Sequence, residues 1–240
     1  MKPINFKDII LFEDDNLFVV NKPPFLSTLD ERNNYEPSLI RLTKEYFPEA
    51  QICHRLDKET SGALIIAKNP ETYRSVSMQF EHRKVEKIYH AVIEGTHQFK
   101  ELDINLPILN EGKEKVKISR AQGKRAETQF TSIKFFRHFT LVECKPLTGR
   151  MHQIRIHLAT QRAVIAGDES YGGKPPMLSL IKKKNYKLSE EEEEQPIIKR
   201  FALHAYQVSF VDPTGVAVCI HAPYPKDFAA FLKLLERYDS

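Results

Sequence analysis

The chain has 240 residues, 41% of them hydrophobic and 28% charged, with a formal net charge of +4. That length accommodates one large domain or two small ones around a substantial core, and the balance excludes a disordered or fibrous chain. Cys53, Cys144 and Cys219 are far apart and odd in number, and no long apolar run or apolar leader follows Met1; a disulfide framework, a zinc ribbon, secretion and membrane insertion are therefore not indicated, and the reading expects a cytoplasmic protein with reduced, buried thiols.

In chain order, Ile9 to Phe12 and Leu17 to Val20 flank Asp14-Asp15-Asn16 and predict a hairpin. Ser38 to Phe47 places Leu39, Leu42, Tyr46 and Phe47 near helical spacing. Gln51 to Leu56 reads as a strand, Thr60-Ser61-Gly62 as turn chemistry, and Ala63 to Ala67 as a second, fully apolar strand. Asn69-Pro70-Glu71 supplies an N-cap, a proline at the first helical position and an early acid. A helix is thus predicted to run to Arg83 and bury Tyr73, Val76 and Phe80. Glu86 to Glu94 is a strand containing Tyr89, and Thr128 to Cys144 gives two more. Lys174 to Arg200 interrupts the pattern with polar residues and the acidic run Glu190 to Glu194, and is expected to be a solvated surface insertion within a single domain spanning 1–240. A terminal helix opens at Pro225 or Lys226, with Phe228, Phe231, Leu232 and Leu235 on one face. Hairpins outnumber any β-α-β alternation, so the predicted fold class is α+β: a mixed, mostly antiparallel bent sheet with peripheral helices and loops.

Charge is unevenly spread. Setting the five acids Glu190 to Glu194 aside raises +4 to +9 for the remainder, which favours phosphate-rich partners. Lys113, Lys115, Lys117, Arg120, Lys124 and Arg125 cluster against Glu114 alone. On charge by itself, that cluster fits an exposed hairpin as well as an RNA-gripping loop.

The most informative stretch is His54-Arg55-Leu56-Asp57-Lys58-Glu59-Thr60-Ser61-Gly62. It places the carboxylate of Asp57 between a strand and a tight turn, where a positioned nucleophile or base belongs; an aspartate there also caps its own turn. The stretch resembles the signature of the RluA-type pseudouridine synthases. Asn21-Lys22-Pro23-Pro24-Phe25-Leu26-Ser27 is similar to the NKPxGL segment of that family, except that Pro24-Phe25 stands where a small residue and Gly are usual. Val85-Glu86-Lys87-Ile88-Tyr89 resembles its tyrosine segment, and Gly149 to Leu158 its GRxHQIRxHL motif. Gly167-Asp168 with Tyr171-Gly172, then Leu203-His204-Ala205, complete the order. The resemblance runs from about Phe12 to Phe228. Six segments in order make it specific. Because only twenty residues precede Asn21, it implies the form without an N-terminal S4-like RNA-binding domain.

The resemblance implies an isomerase that converts uridine in structured RNA, ribosomal or transfer RNA, to pseudouridine. That reaction breaks the N1–C1′ bond, turns the base and rejoins it through C5. Nothing is oxidised or added, so no cofactor and no metal is expected; His152 and His157, five apart on a helix, point about 140° apart and do not converge on one ion. Positive charge develops at C1′ as the bond breaks, and a carboxylate beside it acts as nucleophile or electrostatic partner. Asp57 is the residue expected to act there, attacking C1′ or abstracting the 2′ proton. Its ionised form needs a cation nearby; family position makes that Arg155, with Arg150 assigned to phosphate contact. Tyr89 is expected to pack on the uracil and take part in removing the C5 proton. Arg55 is expected to fill the space left by the flipped base, Lys124 and Arg125 to grip RNA in the family's closing loop, and Leu203 to wall the uracil pocket. His54 is read as a hydrogen-bonded structural residue. A monomer binding structured RNA without a membrane is expected. An inactive RNA-binding module of the same fold and a uridine nucleosidase are the alternatives; the first needs no strand-end carboxylate, and the second would release free uracil.

Overall fold

The computed structural model describes residues 4–31, 36–112, 114–182 and 193–240. In chain order the elements are β1 (Ile10–Glu13), β2 (Leu17–Lys22), α1 (Leu39–Tyr46), β3 (Gln51–Ile52), β4 (Ser61–Ala67), α2 (Pro70–Glu81), β5 (Glu86–Glu94), β6 (Leu102–Asn105), β7 (Ile108–Gly112) and β8 (Lys115–Ile118). They continue with β9 (Glu127–Phe135), β10 (Phe139–Pro146), α3 (Gln153–Thr160), α4 (Leu178–Ile181), β11 (Leu203–Val211), β12 (Ala217–His221) and α5 (Lys226–Tyr238). The chain divides into two compact units, one of residues 1–89 with 204–224 and one of residues 90–203 with 225–240.

In the first unit β2 pairs antiparallel with β1 and β4, and β4 pairs in parallel with β11 at His204↔Ser61 and Ala205↔Gly62. Asp14 closes the β1–β2 hairpin by accepting from the Asn16 and Leu17 amides at 2.7 and 2.8 Å. β4 is buried along its whole length, as befits a strand covered on both faces. Phe18, Val20, Leu64 and Ile66 face the cluster that includes Leu39 of α1, whereas Leu17, Val19, Ala63 and Ile65 face Val76 of α2. Gly62 is obligatory: it lies at φ 119, and a Cβ there would meet the Ala205 carbonyl oxygen at 2.2 Å. The parallel approach of β11 requires a residue without a side chain.

Both helices of this unit begin as predicted. Ser38 caps α1, accepting from the Arg41 amide, and Asn69 caps α2, accepting from the Thr72 amide at 2.8 Å ahead of Pro70. α2 stops at Glu81, two residues before the expected Arg83, which adopts φ 59. Tyr73 is not buried as expected but 37% exposed, and Thr72 takes the inward position. Cys219 is likewise exposed on β12; Cys53 is half-buried and Cys144 buried. Burial pushes the Cys53 thiol up to about 12, which makes it a poor nucleophile.

In the second unit β9 pairs antiparallel with β10 and β6, and β7 and β8 form a separate hairpin. Val116 and Ile118 of β8 pack on a small cluster of Ile108, Ala126 and Ile156 of α3. Along α5, Phe228, Phe231 and Leu235 are buried as the spacing predicts. The segment expected as a solvated insertion, 174–200, is anchored at both flanks: Ile181 and Ile198 are buried, and so is Arg200, which forks onto Asp227 at 2.7 and 3.1 Å and donates to the Leu203 carbonyl at 3.1 Å. Burial opposes ionisation of Asp227, but the Arg200 hydrogen bond and charge hold its carboxyl below the ordinary value. Residues 190–192 of the acidic run lie outside the described residues, as does Lys113. Glu194 is engaged, accepting from the Ser179 amide and hydroxyl at 2.8 and 2.6 Å.

Candidate active site

The strand expected over Gln51 to Leu56 ends at Ile52, and the reason lies in the residues that follow. Cys53 still donates to Ile65, but the Ile65 amide turns to the His54 ring, donating to Nε2 at 3.0 Å. A ring nitrogen that accepts must be unprotonated, and burial, together with the nearby Lys87 charge, pushes the His54 pKa down to about 3. The ring packs on Phe80 at 4.7 Å. His54 is structural, as read from the sequence. Leu56 then exchanges two hydrogen bonds with the Thr28 hydroxyl, which donates to its carbonyl at 2.8 Å and accepts from its amide at 3.2 Å. With these groups taken, no ladder remains to extend.

Asp57 therefore sits in a turn, closed by the Thr60 amide donating to its carbonyl at 3.0 Å. On the far side the Lys58 carbonyl accepts from the ammonium of Lys22 at 3.1 Å. Lys22 is fully buried, and the same ammonium donates to the Pro23 and Leu26 carbonyls at 3.0 and 2.8 Å. The backbone on both sides of Asp57 is thus clamped, by Thr28 at Leu56 and by Lys22 at Lys58. Asp57 itself is half-buried and Arg55 is exposed. Tyr89, half-buried, packs against the cluster containing Leu56 and Ala205. Beyond the turn, the Ser61 hydroxyl meets His204 Nδ1 at 2.9 Å while His204 Nε2 meets the Ala222 carbonyl at 3.0 Å. Since only the protonated nitrogen bonds a carbonyl, Nε2 carries the proton and Nδ1 accepts from Ser61.

The end of β2 and the loop that follows it supply the two clamps, and among the described residues of that loop Phe25 has an exceptional backbone. Phe25 adopts φ 64, a left-handed geometry that costs an L-residue about 1–2 kcal/mol and suits glycine in a turn after proline. It stands where the resembling family has Gly.

In the second unit Arg155 lies on α3, whose residues Gln153 to Leu158 are all buried. Its Nε and Nη2 each donate at 2.7 Å to the carboxylate of Asp168, and its guanidinium lies over the rings of Phe201 and Tyr171 at 4.3 and 5.1 Å. Asp168 is held by a tight backbone: a Cβ on Gly173 would meet the Ile165 carbonyl oxygen at 2.3 Å, and one on Gly167, at φ 80, the Arg200 carbonyl oxygen at 2.5 Å. Gln153 locks the approach to α3, accepting from the Thr148 hydroxyl and the Arg150 amide and donating to the Glu127 carbonyl and Thr128 hydroxyl at 2.7–3.0 Å. His157 bonds Thr128 at 2.9 Å and the Leu106 carbonyl at 3.0 Å, and burial lowers its pKa; His152 meets the Tyr171 hydroxyl at 3.1 Å. Among the described residues no group of three or more His, Cys, Asp or Glu side chains is placed to hold one.

The cationic segment occupies the β7–β8 hairpin and the stretch after it. Lys115, Lys117, Arg120, Lys124, Arg125 and Arg150 are exposed. Lys117 pairs with Glu111, Arg125 with Glu127, and Arg150 Nε donates to the Arg125 carbonyl at 3.1 Å. Leu203 is buried.

Residues 16–160 match the RNA pseudouridylate synthase family. The chain belongs to that family. It is 33% identical over 235 residues to a ribosomal large subunit pseudouridine synthase D of Neisseria meningitidis, covering 94% of this chain and 60% of that one. It is also 33% identical over 236 residues to a ribosomal large subunit pseudouridine synthase C of Salmonella typhi, covering 95% and 70%. The chain thus spans between three fifths and seven tenths of these two relatives. Among solved structures, human RNA pseudouridylate synthase domain containing 4 superposes with a TM-score of 0.72 at 24% identity, covering 96% of this chain and 94% of that one. This likeness bears out the α+β mixed sheet, and the relatives bear out the RluA-type resemblance.

Within this family member, sequence reasoning missed three residues that hold candidate residues in place, Lys22 and Thr28 around Asp57 and Asp168 on Arg155. Lys22 was legible only as part of a motif, because lysine seldom reads as a buried residue. Asp168 was noted in Gly167-Asp168 without a partner, although a Gly-Asp pair ahead of Tyr171-Gly172 signals a constrained carboxylate. Thr28 carried no signal at all.

Proposed function

We propose that this chain isomerises uridine to pseudouridine in structured RNA, with large-subunit ribosomal RNA as its substrate class. The reading is carried by the double clamp on the turn of Asp57, which spends a fully buried ammonium and a buried hydroxyl to immobilise the backbone around one carboxylate. Pure RNA binding has no use for that expense, whereas a glycosidic reaction needs a carboxylate held within tenths of an ångström. The names of the two relatives support ribosomal RNA; a transfer RNA stem-loop is the second class to test.

In this reading Asp57 acts on the sugar, as nucleophile at C1′ or base at C2′, and Tyr89 packs on the uracil and assists loss of the C5 proton. Arg155 supplies positive charge to the reaction, Arg55 fills the vacated stack, Leu203 shapes the uracil pocket, and Arg150, Lys124 and Arg125 contact phosphate. The protein works as a cytoplasmic monomer without metal or cofactor. The test is mass spectrometry of ribosomal and transfer RNA incubated with wild type and Asp57→Asn. Pseudouridine should form with wild type and fall by at least about a thousandfold in the variant, which keeps its fold and RNA affinity. Pseudouridine from the variant at near wild-type rates would remove Asp57 from the chemistry, and free uracil from wild type would make the protein a nucleosidase.

A further inference from the structure

Phe25 combines two unfavourable choices, a left-handed backbone at φ 64 and a ring left 38% exposed. Glycine would take the same backbone without strain, and burial would stabilise the ring. Strain of this kind persists only where the surroundings impose it, and it concentrates at functional sites. Here the surroundings are explicit. Lys22 Nζ donates to the carbonyls of Pro23 and Leu26, the two ends of the Pro24-Phe25 turn, and to Lys58, the residue after Asp57. Three residues on, Thr28 grips Leu56, the residue before Asp57. Leu29, which follows Thr28, is 46% exposed. The backbone that carries the exposed ring is therefore tied to the Asp57 turn by bonds on either side of that carboxylate.

We propose that Phe25 is a stacking platform for an unpaired nucleobase next to the isomerised uridine, with Leu29 as its apolar edge. The proposal rests on the reading of the chain as an RNA pseudouridine synthase. A uridine that leaves its stack exposes the faces of its neighbours, and a rigid aromatic side chain covers such a face whatever the base. The exposed Arg55, two residues before Asp57, and a chain of net positive charge supply the complement to the accompanying phosphates. Pre-paid strain adds to the effect, because the platform needs no ordering when RNA arrives.

Stem-loops of large-subunit ribosomal RNA carrying 2-aminopurine beside a loop uridine report stacking through fluorescence quenching. Phe25→Gly should unfold at the same temperature as wild type or higher, lose the quenching, and bind about tenfold more weakly or worse, in the range that base–aromatic stacking contributes; Phe25→Tyr should keep both. Quenching and affinity unchanged in Phe25→Gly would overturn the proposal, as would a lower unfolding temperature, which would make Phe25 a packing residue. Absence of any quenching by wild type would overturn it too. Quenching that depends on Phe25 in a protein that forms no pseudouridine would uphold the platform and sink the catalytic reading; isomerisation without such quenching would do the reverse.

Discussion

In the first unit, the turn carrying Asp57 is gripped through backbone atoms, by a hydroxyl at Leu56 and an ammonium at Lys58. In the second, Arg155 is gripped through its own charged group, forked onto a buried carboxylate and set over two rings. The difference is one of what a mutation removes. A clamp on backbone fixes the turn whatever side chain the turn presents. A clamp on the side chain ties that group to stability, since removing either partner strands a buried charge.

That contrast is open to test. Asp168→Ala should lower stability by roughly 3–5 kcal/mol in urea unfolding, the usual cost of breaking a buried ion pair from one side, and should abolish pseudouridine formation. A loss below about 1 kcal/mol, the level of solvent-exposed pairs, would mean the fork is solvated in solution. Lys22→Met should cost less, about 1–3 kcal/mol for hydrogen bonds from a charged donor to carbonyls. It should nevertheless lower the single-turnover rate more than RNA affinity, because it loosens the turn and not the binding surface; equal losses in both would show that the clamp serves folding alone. Asp57→Asn should leave the urea midpoint nearly unchanged, the opposite of Asp168→Ala. The smallest effect belongs to the exposed segment between β8 and β9: replacing Lys124 and Arg125 by glutamine should leave stability intact and flatten the salt dependence of RNA binding. Each lost phosphate contact removes roughly 0.7 to 0.9 from the log–log slope. An unaltered slope would take that segment out of the RNA interface.

Local chemistry made much of the fold legible. The caps of α1 and α2 and the Asp14 turn depend on groups within a few residues of each other, and the buried face of α5 follows from helical spacing alone. β5 with Tyr89 falls where the pattern put it. The errors all arise where a distant group intervened. Gln51 to Leu56 has strand composition, yet Thr28, 28 residues upstream of Leu56, takes the hydrogen bonds that a strand would need. The polar composition of 174–200 suggested solvent, but Arg200 gains Asp227 and Ile181 and Ile198 gain the interior. Separately, nothing local in the sequence showed that Asp168, thirteen residues on, forks with Arg155.

By itself the sequence determined the order of motifs, the family and the turn that presents Asp57, because these rest on residue identity and short-range geometry. Only the tertiary structure decided which groups hold that turn, that Asp168 forks with Arg155, and that Phe25 occupies a conformation made for glycine. Those outcomes depend on buried charges and hydrogen-bonding groups meeting across long stretches of chain, where the cost of leaving any one of them unpaired selects the partner.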